Sequence, residues 1–171
     1  MKKVLLSLVM VAGLGFAALA QTQGAAQKLS VGAEFGLPIG DLSDVSNLVY
    51  GGSLQYEYPV AKSLALTGSA GYMEFSFKKE FKDYISAGVI PVKAGAKYYF
   101  GGCFYGAGEL GAGFATGDSN GTAFIYAPTV GASFSVADKS SIDLGVRYEG
   151  QSISGGTRSF IGLRAAFAFG L

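Results

Sequence analysis

Few residues in this chain are equipped for chemistry. Its 171 residues include no histidine and one cysteine, Cys103, so nucleophile–base pairs and zinc sites lack their usual parts. Gly117-Asp118-Ser119 has the outline of a hydrolase nucleophile turn but no imidazole base to serve it. Ser76-Phe77-Lys78-Lys79 has S-x-x-K spacing without the companion S-D-N and K-T-G motifs. Gly106-Ala107-Gly108-Glu109-Leu110-Gly111 fits G-x-G-x-x-G. That fingerprint needs a helix opening at its end to receive a pyrophosphate, whereas here Ala112-Gly113-Phe114 continues an alternation of glycine with larger residues. The expectation is no catalytic residue, no metal and no cofactor.

Charge, in contrast, is patterned. Leu29, Val31, Ala33, Phe35 and Leu37 alternate with Ser30, Gly32, Glu34 and Gly36. Ile90, Val92, Ala94, Ala96, Tyr98 and Phe100 alternate with Lys93, Gly95, Lys97 and Tyr99. The same period of two recurs from Tyr50, Leu64, Phe104, Phe124, Ile142 and Ile161, which makes eight strands with no competing helical stripe. Glu34, Lys93, Lys97, Glu109, Asp143, Arg147 and Arg164 all fall on the polar parity, as does Glu149. The apolar parity places aromatics near the strand ends (Tyr98 and Phe100; Phe104 and Phe114) with alanine and glycine between them, the girdle arrangement of a membrane barrel.

The elements that hold these residues follow from composition and spacing. Lys2 and Lys3 precede an uncharged run from Val4 to Ala20 that ends in Ala18-Leu19-Ala20, so residues 1–20 read as a cleavable secretion signal. Half the residues are hydrophobic, yet 27 glycines break every helical pattern. A chain this apolar without a spanning helix must bury its apolar surface in a core or turn it to lipid through a closed barrel. The near-balance of 13 basic and 12 acidic residues leaves no field to recruit nucleic acid. Short connections (Pro59–Ser63, Gly101–Cys103, Ala137–Ser141) alternate with longer ones (Pro38–Val49, Glu74–Val89, Ala115–Ala123, Gly150–Ser159). That matches the turns and loops of a transmembrane barrel better than a soluble sandwich or lipocalin-like barrel. The expected fold is all-β: an eight-stranded antiparallel up-and-down transmembrane β-barrel over residues 21–171.

Three phrases carry a resemblance. Ile90-Pro-Val-Lys-Ala-Gly-Ala-Lys-Tyr-Tyr-Phe100, Ile142-Asp-Leu-Gly-Val-Arg-Tyr-Glu149 and Ile161-Gly-Leu-Arg-Ala-Ala-Phe-Ala-Phe169 resemble the outer-membrane β-barrel domain family, with its porin-like and OmpA/OmpX-type small barrels. Leu171 stands where that family usually ends in Phe or Trp, with Phe167 and Phe169 supplying the aromatic part. The resemblance implies the cell outer membrane, contact with its lipid and with lipopolysaccharide, insertion by the barrel assembly machinery, and a monomer.

Two groups of residues are the candidate sites. A three-residue turn that pairs Phe100 with Phe104 sets Glu109 opposite Gly95 and diagonal to Lys93 and Lys97. Asp143, Arg147, Glu149 and Arg164, with Glu34, form a second group on the same face. Eight strands leave an interior filled by side chains, so these charges are expected to pair and close it. The second candidate is the loop 74–89, where Phe75, Phe77, Phe81 and Tyr84 alternate with Lys78, Lys79 and Lys82. Exposed, these would meet lipopolysaccharide phosphates or an unknown surface ligand; the alternative is a strand extension beyond the membrane. The functional expectation is a non-enzymatic barrel, structural or surface-binding. A narrow pore for ions or small solutes is the second reading, and a lipid-modifying enzyme the third.

Overall fold

The computed structural model describes residues 26–77, 88–101, 103–116, 121–153 and 155–171. The expected signal, 1–20, lies outside them, as do Lys78, Lys79, Phe81, Lys82 and Tyr84. Eight strands run β1 (Lys28–Ile39), β2 (Ser46–Ala61), β3 (Leu64–Phe77), β4 (Gly88–Gly101), β5 (Phe104–Thr116), β6 (Thr122–Ala137), β7 (Ser140–Ile153) and β8 (Gly156–Gly170). Each pairs antiparallel with the next, and β8 returns to β1 along its full length, from Lys28↔Gly170 to Ile39↔Ser159. The sheet therefore has no free edge, and the ladders pair strand to strand around the whole wall apart from short breaks such as that between Ala70↔Val92 and Met73↔Val89.

The alternation sorts as the parity requires. Leu29, Val31, Phe35, Leu54, Val92, Leu110, Val130, Leu144 and Leu163 stand exposed on the outer surface. Ser30, Glu34, Glu57, Ser69, Lys93, Lys97, Glu109, Asp143, Arg147 and Glu149 are buried inside. An apolar exterior around a charged interior inverts a soluble fold, and only a hydrocarbon solvent makes it stable. Inward glycines make room for the largest interior side chains. A Cβ at Gly36 would lie 2.6 Å from a Phe160 ring carbon, and one at Gly145 2.8 Å from the Tyr105 hydroxyl.

Two expectations need correction. The turn after β4 carries a register shift: Tyr99 pairs with Tyr105, but Gly101 rather than Phe100 pairs with Phe104. Glu109 still faces Gly95, because the extra residue is absorbed at the turn. The long connections are also shorter than spacing suggested. β7 continues until Ile153 pairs with Gly156, β3 continues through Phe75 and Phe77, and β2 begins at Ser46. The inward parity turns apolar in β3 at Met73, Phe75 and Phe77, whereas both parities turn polar where β7 ends (Gln151, Ser152) and where β2 begins (Ser46, Asn47), so the period-two signal fades while the ladder goes on. Gly40, at φ 60°, turns the chain from β1 into a short helix α1 (Asp41–Val45), a backbone conformation that favours glycine.

Ala94 sits mid-strand on the outer face, between Gly68 and Leu110. Ala94→Arg should lower unfolding stability by about 2–4 kcal/mol if it lies at the bilayer midplane, while Ala94→Val should change it little. Urea unfolding in lipid vesicles measures both; equal stabilities would mean that this face does not meet hydrocarbon.

Candidate functional site

The interior charges converge from six of the eight strands into two groups. In the first, Arg147 of β7 forms ion pairs with Glu34 of β1 and, at 2.9 Å from Nε, with Glu149 of its own strand. This Nε is not aligned for a hydrogen bond, so the Glu149 contact is electrostatic. Glu149 also takes Lys93 of β4 at 3.2 Å, and Lys93 reaches Glu109 of β5 at 3.5 Å. Arg164 of β8 lies 3.7 Å from Glu34 and donates to Ser53 Oγ at 2.9 Å and Ser30 Oγ at 3.0 Å. Gln55 Nε2 and Ser69 Oγ each donate to Glu109 at 3.1 Å, and Gln151 Nε2 to Glu149 at 3.0 Å. Three cations meet three carboxylates, and neutral donors occupy the remaining acceptor sites, as buried charge requires.

The second group surrounds Lys97, which is 1% exposed. Its ammonium donates to Glu57 at 2.8 Å and Asp143 at 2.6 Å and lies 3.8 Å from the Tyr105 ring centroid. One cation thus holds two carboxylates. The phenol hydroxyls relieve the imbalance: Tyr99 donates to Glu57 at 2.9 Å and Tyr105 to Asp143 at 2.6 Å. Between the two groups is a void of about 30 Å³ touched by Lys97, Glu109, Arg147 and Arg164, close to one water's share of liquid volume.

This arrangement differs from the sequence expectation in its partners. Lys93 meets Glu109 as the register implied, but Lys97 turns from Glu109 to Glu57 and Asp143. Asp143 leaves the expected second group, and Glu149 joins that group to Lys93. Glu57, Tyr99, Tyr105, Gln55 and Ser69 were not singled out, although each lies on the inward parity of its strand.

The loop candidate is corrected where it can be seen. Phe75 and Phe77 are not exposed. They are buried inside the barrel in an apolar cluster with Leu42, Val49, Met73, Val89 and Phe160. Phe75 and Phe160 meet edge to face with ring centroids 6.3 Å apart. These two residues belong to β3, with inward parity, so they fill the lumen and offer no surface to a ligand.

Fold and interior together define a small outer-membrane type of barrel, and comparison with solved structures agrees. Ail, the attachment invasion locus protein of Yersinia pestis, is similar with a TM-score of 0.59 and 18% identity, over 85% of this chain and 100% of that one. Neisserial surface protein A is similar with a TM-score of 0.62 and 16% identity, over 86% and 98%. OprG of Pseudomonas aeruginosa is similar with a TM-score of 0.56 and 14% identity, over 86% and 96%. No family model matches the sequence, and no curated protein matches it. The likeness is one of fold.

The geometry ranks the interior substitutions. Lys97→Met orphans two buried carboxylates and should cost about 3–5 kcal/mol. Glu109→Ala should cost less, because Lys93 keeps Glu149. Adding Asp143→Asn to Lys97→Met should cost less than the sum of the single changes. Urea unfolding of the four variants measures this. Additive effects, or a costlier Glu109→Ala, would contradict the partner assignment.

Proposed function

We propose that this is a non-enzymatic outer-membrane protein whose barrel is closed by its own interior and which acts as a structural or surface-binding element. The supporting observation is the satisfied ion-pair network. Lys97 and Arg147 are 1% and 5% exposed, Glu149 is fully buried, and their contacts span the lumen between strands that are not neighbours in the wall. A conducting pore needs a continuous wet path, lined by charges that face water more than one another. The narrow-pore reading has no comparable observation in its favour. A chain without histidine also lacks the commonest general base.

In this reading residues 1–20 are removed on export and the exposed apolar face meets outer-membrane lipid. The end of the barrel that bears the longer connections lies beside lipopolysaccharide, and the barrel assembly machinery inserts the chain as a monomer. Lys78, Lys79, Phe81, Lys82 and Tyr84 remain candidates for an outward ligand, now without Phe75 and Phe77.

Two measurements test this reading. The protein should fractionate with the outer membrane and change gel mobility on boiling, as closed barrels do; recovery as a soluble periplasmic protein would refute the location. In planar bilayers the purified protein should carry no steady current. Stable channels whose ion selectivity changes with Glu109→Lys would favour the pore instead.

A further inference from the structure

The two ends of the lumen are chemically different. At the end bearing α1, Leu42, Val49, Phe75, Phe77, Val89 and Phe160 pack into an apolar seal. Arg147 lies beneath it, its guanidinium 5.8 Å from the Phe160 ring centroid and 3.7 Å from Met73 Sδ. At the opposite end, where both β1 begins and β8 finishes, the lumen widens into a cavity of about 370 Å³. Lys28, Glu57, Lys62, Tyr99, Ser133 and Ser135 line it.

Charge satisfaction within that cavity is one-sided. Glu57 has both oxygens engaged, Oε1 by Lys97 and Oε2 by Tyr99. Asp143, one layer deeper, is held by Lys97 and Tyr105. Lys28 and Lys62, in contrast, have no carboxylate within ion-pair distance among the described residues. The Lys28 ammonium lies over the Tyr99 ring at 5.6 Å. Among the described residues the cavity thus offers two ammonium groups without a carboxylate partner, beside serine hydroxyls, and a Glu57 carboxylate already engaged.

We propose that this turn-end cavity is a binding site for a small anion carrying a phosphate or carboxylate group. Lysine ammoniums recognise such groups as point charges with several donors. Lys28 is half-buried in the mouth, so its field is screened less than on an open surface, while Lys62 stands exposed at the rim. The apolar seal blocks the other end, so the ligand enters from the turn side. That side is the periplasm if the orientation given under Proposed function holds. A free anion and the headgroup of an anionic phospholipid at the barrel edge share this chemistry.

The test is a titration of the purified barrel in uncharged detergent micelles with inorganic phosphate, at constant ionic strength balanced by chloride, followed through backbone amide signals. Saturable shifts are expected at Lys62, Ser133 and Ser135. Lys28→Gln combined with Lys62→Gln should weaken the apparent affinity about tenfold or more. Lys139→Gln, in the neighbouring β6–β7 turn and outside the cavity lining, should leave it unchanged. Boiling-dependent gel mobility verifies that each variant is folded. Shifts that never saturate, or that are the same in all three proteins, would overturn the site. Nanodiscs separate the sources: shifts with phosphatidylglycerol and no added phosphate assign a lipid headgroup, and shifts only on adding phosphate to phosphatidylcholine discs assign a soluble anion. The micelle titration does not depend on cellular location, so failure of the outer-membrane reading would show in fractionation and not here.

Discussion

Closure of β8 onto β1 is the constraint from which the rest of the molecule follows. A sheet in hydrocarbon cannot leave a row of backbone donors and acceptors unpaired, and eight strands joined edge to edge enclose a space only wide enough for side chains. Every inward residue must therefore be small, apolar or fully partnered. The interior follows this in layers, with Thr67 Oγ1 and Arg147 Nε the buried polar side-chain atoms that make no hydrogen bond among the described residues. Apolar side chains fill the α1 end, ion pairs and hydrogen bonds fill the middle, and the Lys97 group borders the cavity at the turn end.

The ion pairs do something that the ladder cannot. Backbone bonds tie each strand to its neighbours, whereas Arg147 ties β7 to β1 and Lys93 ties β4 to β7. Lys97 ties β4 to both β2 and β7. Burying four cations and five carboxylates is costly, and the net gain over an apolar filling is small or negative. Their value lies in specificity. A shifted register would move these charges away from the partners they hold here, and the penalty for an orphaned buried charge is large.

Much of this was legible in the sequence. Strand number, antiparallel order and the sorting of faces follow from period two, because polar-in and apolar-out residues alternate over most of each strand. Contacts between adjacent strands were legible too: the Glu109–Gly95 register brings Lys93 to Glu109. Contacts across the lumen were not, since they depend on how the wall curves and tilts. Glu57 faces Thr67 in the ladder and gives no local hint that Lys97 is its partner. The apolar seal was misread for a different reason. Met73, Phe75 and Phe77 continue the inward parity of β3 with apolar side chains, so the alternation that marks a strand disappears where the strand continues.

The central claim is that the charged interior is packed and satisfied, with no wet path through it. Hydrogen exchange at the side-chain nitrogens tests this without altering the protein. In a ¹⁵N-resolved NMR spectrum of the barrel at neutral pH, the Lys97 ammonium and the Arg147 guanidinium should show distinct N–H signals that exchange slowly with water. Lys139, on a turn, should exchange too fast to be seen. Exchange at Lys97 and Arg147 as fast as at Lys139 would mean that water runs freely through the lumen, and the closed-barrel account would fail.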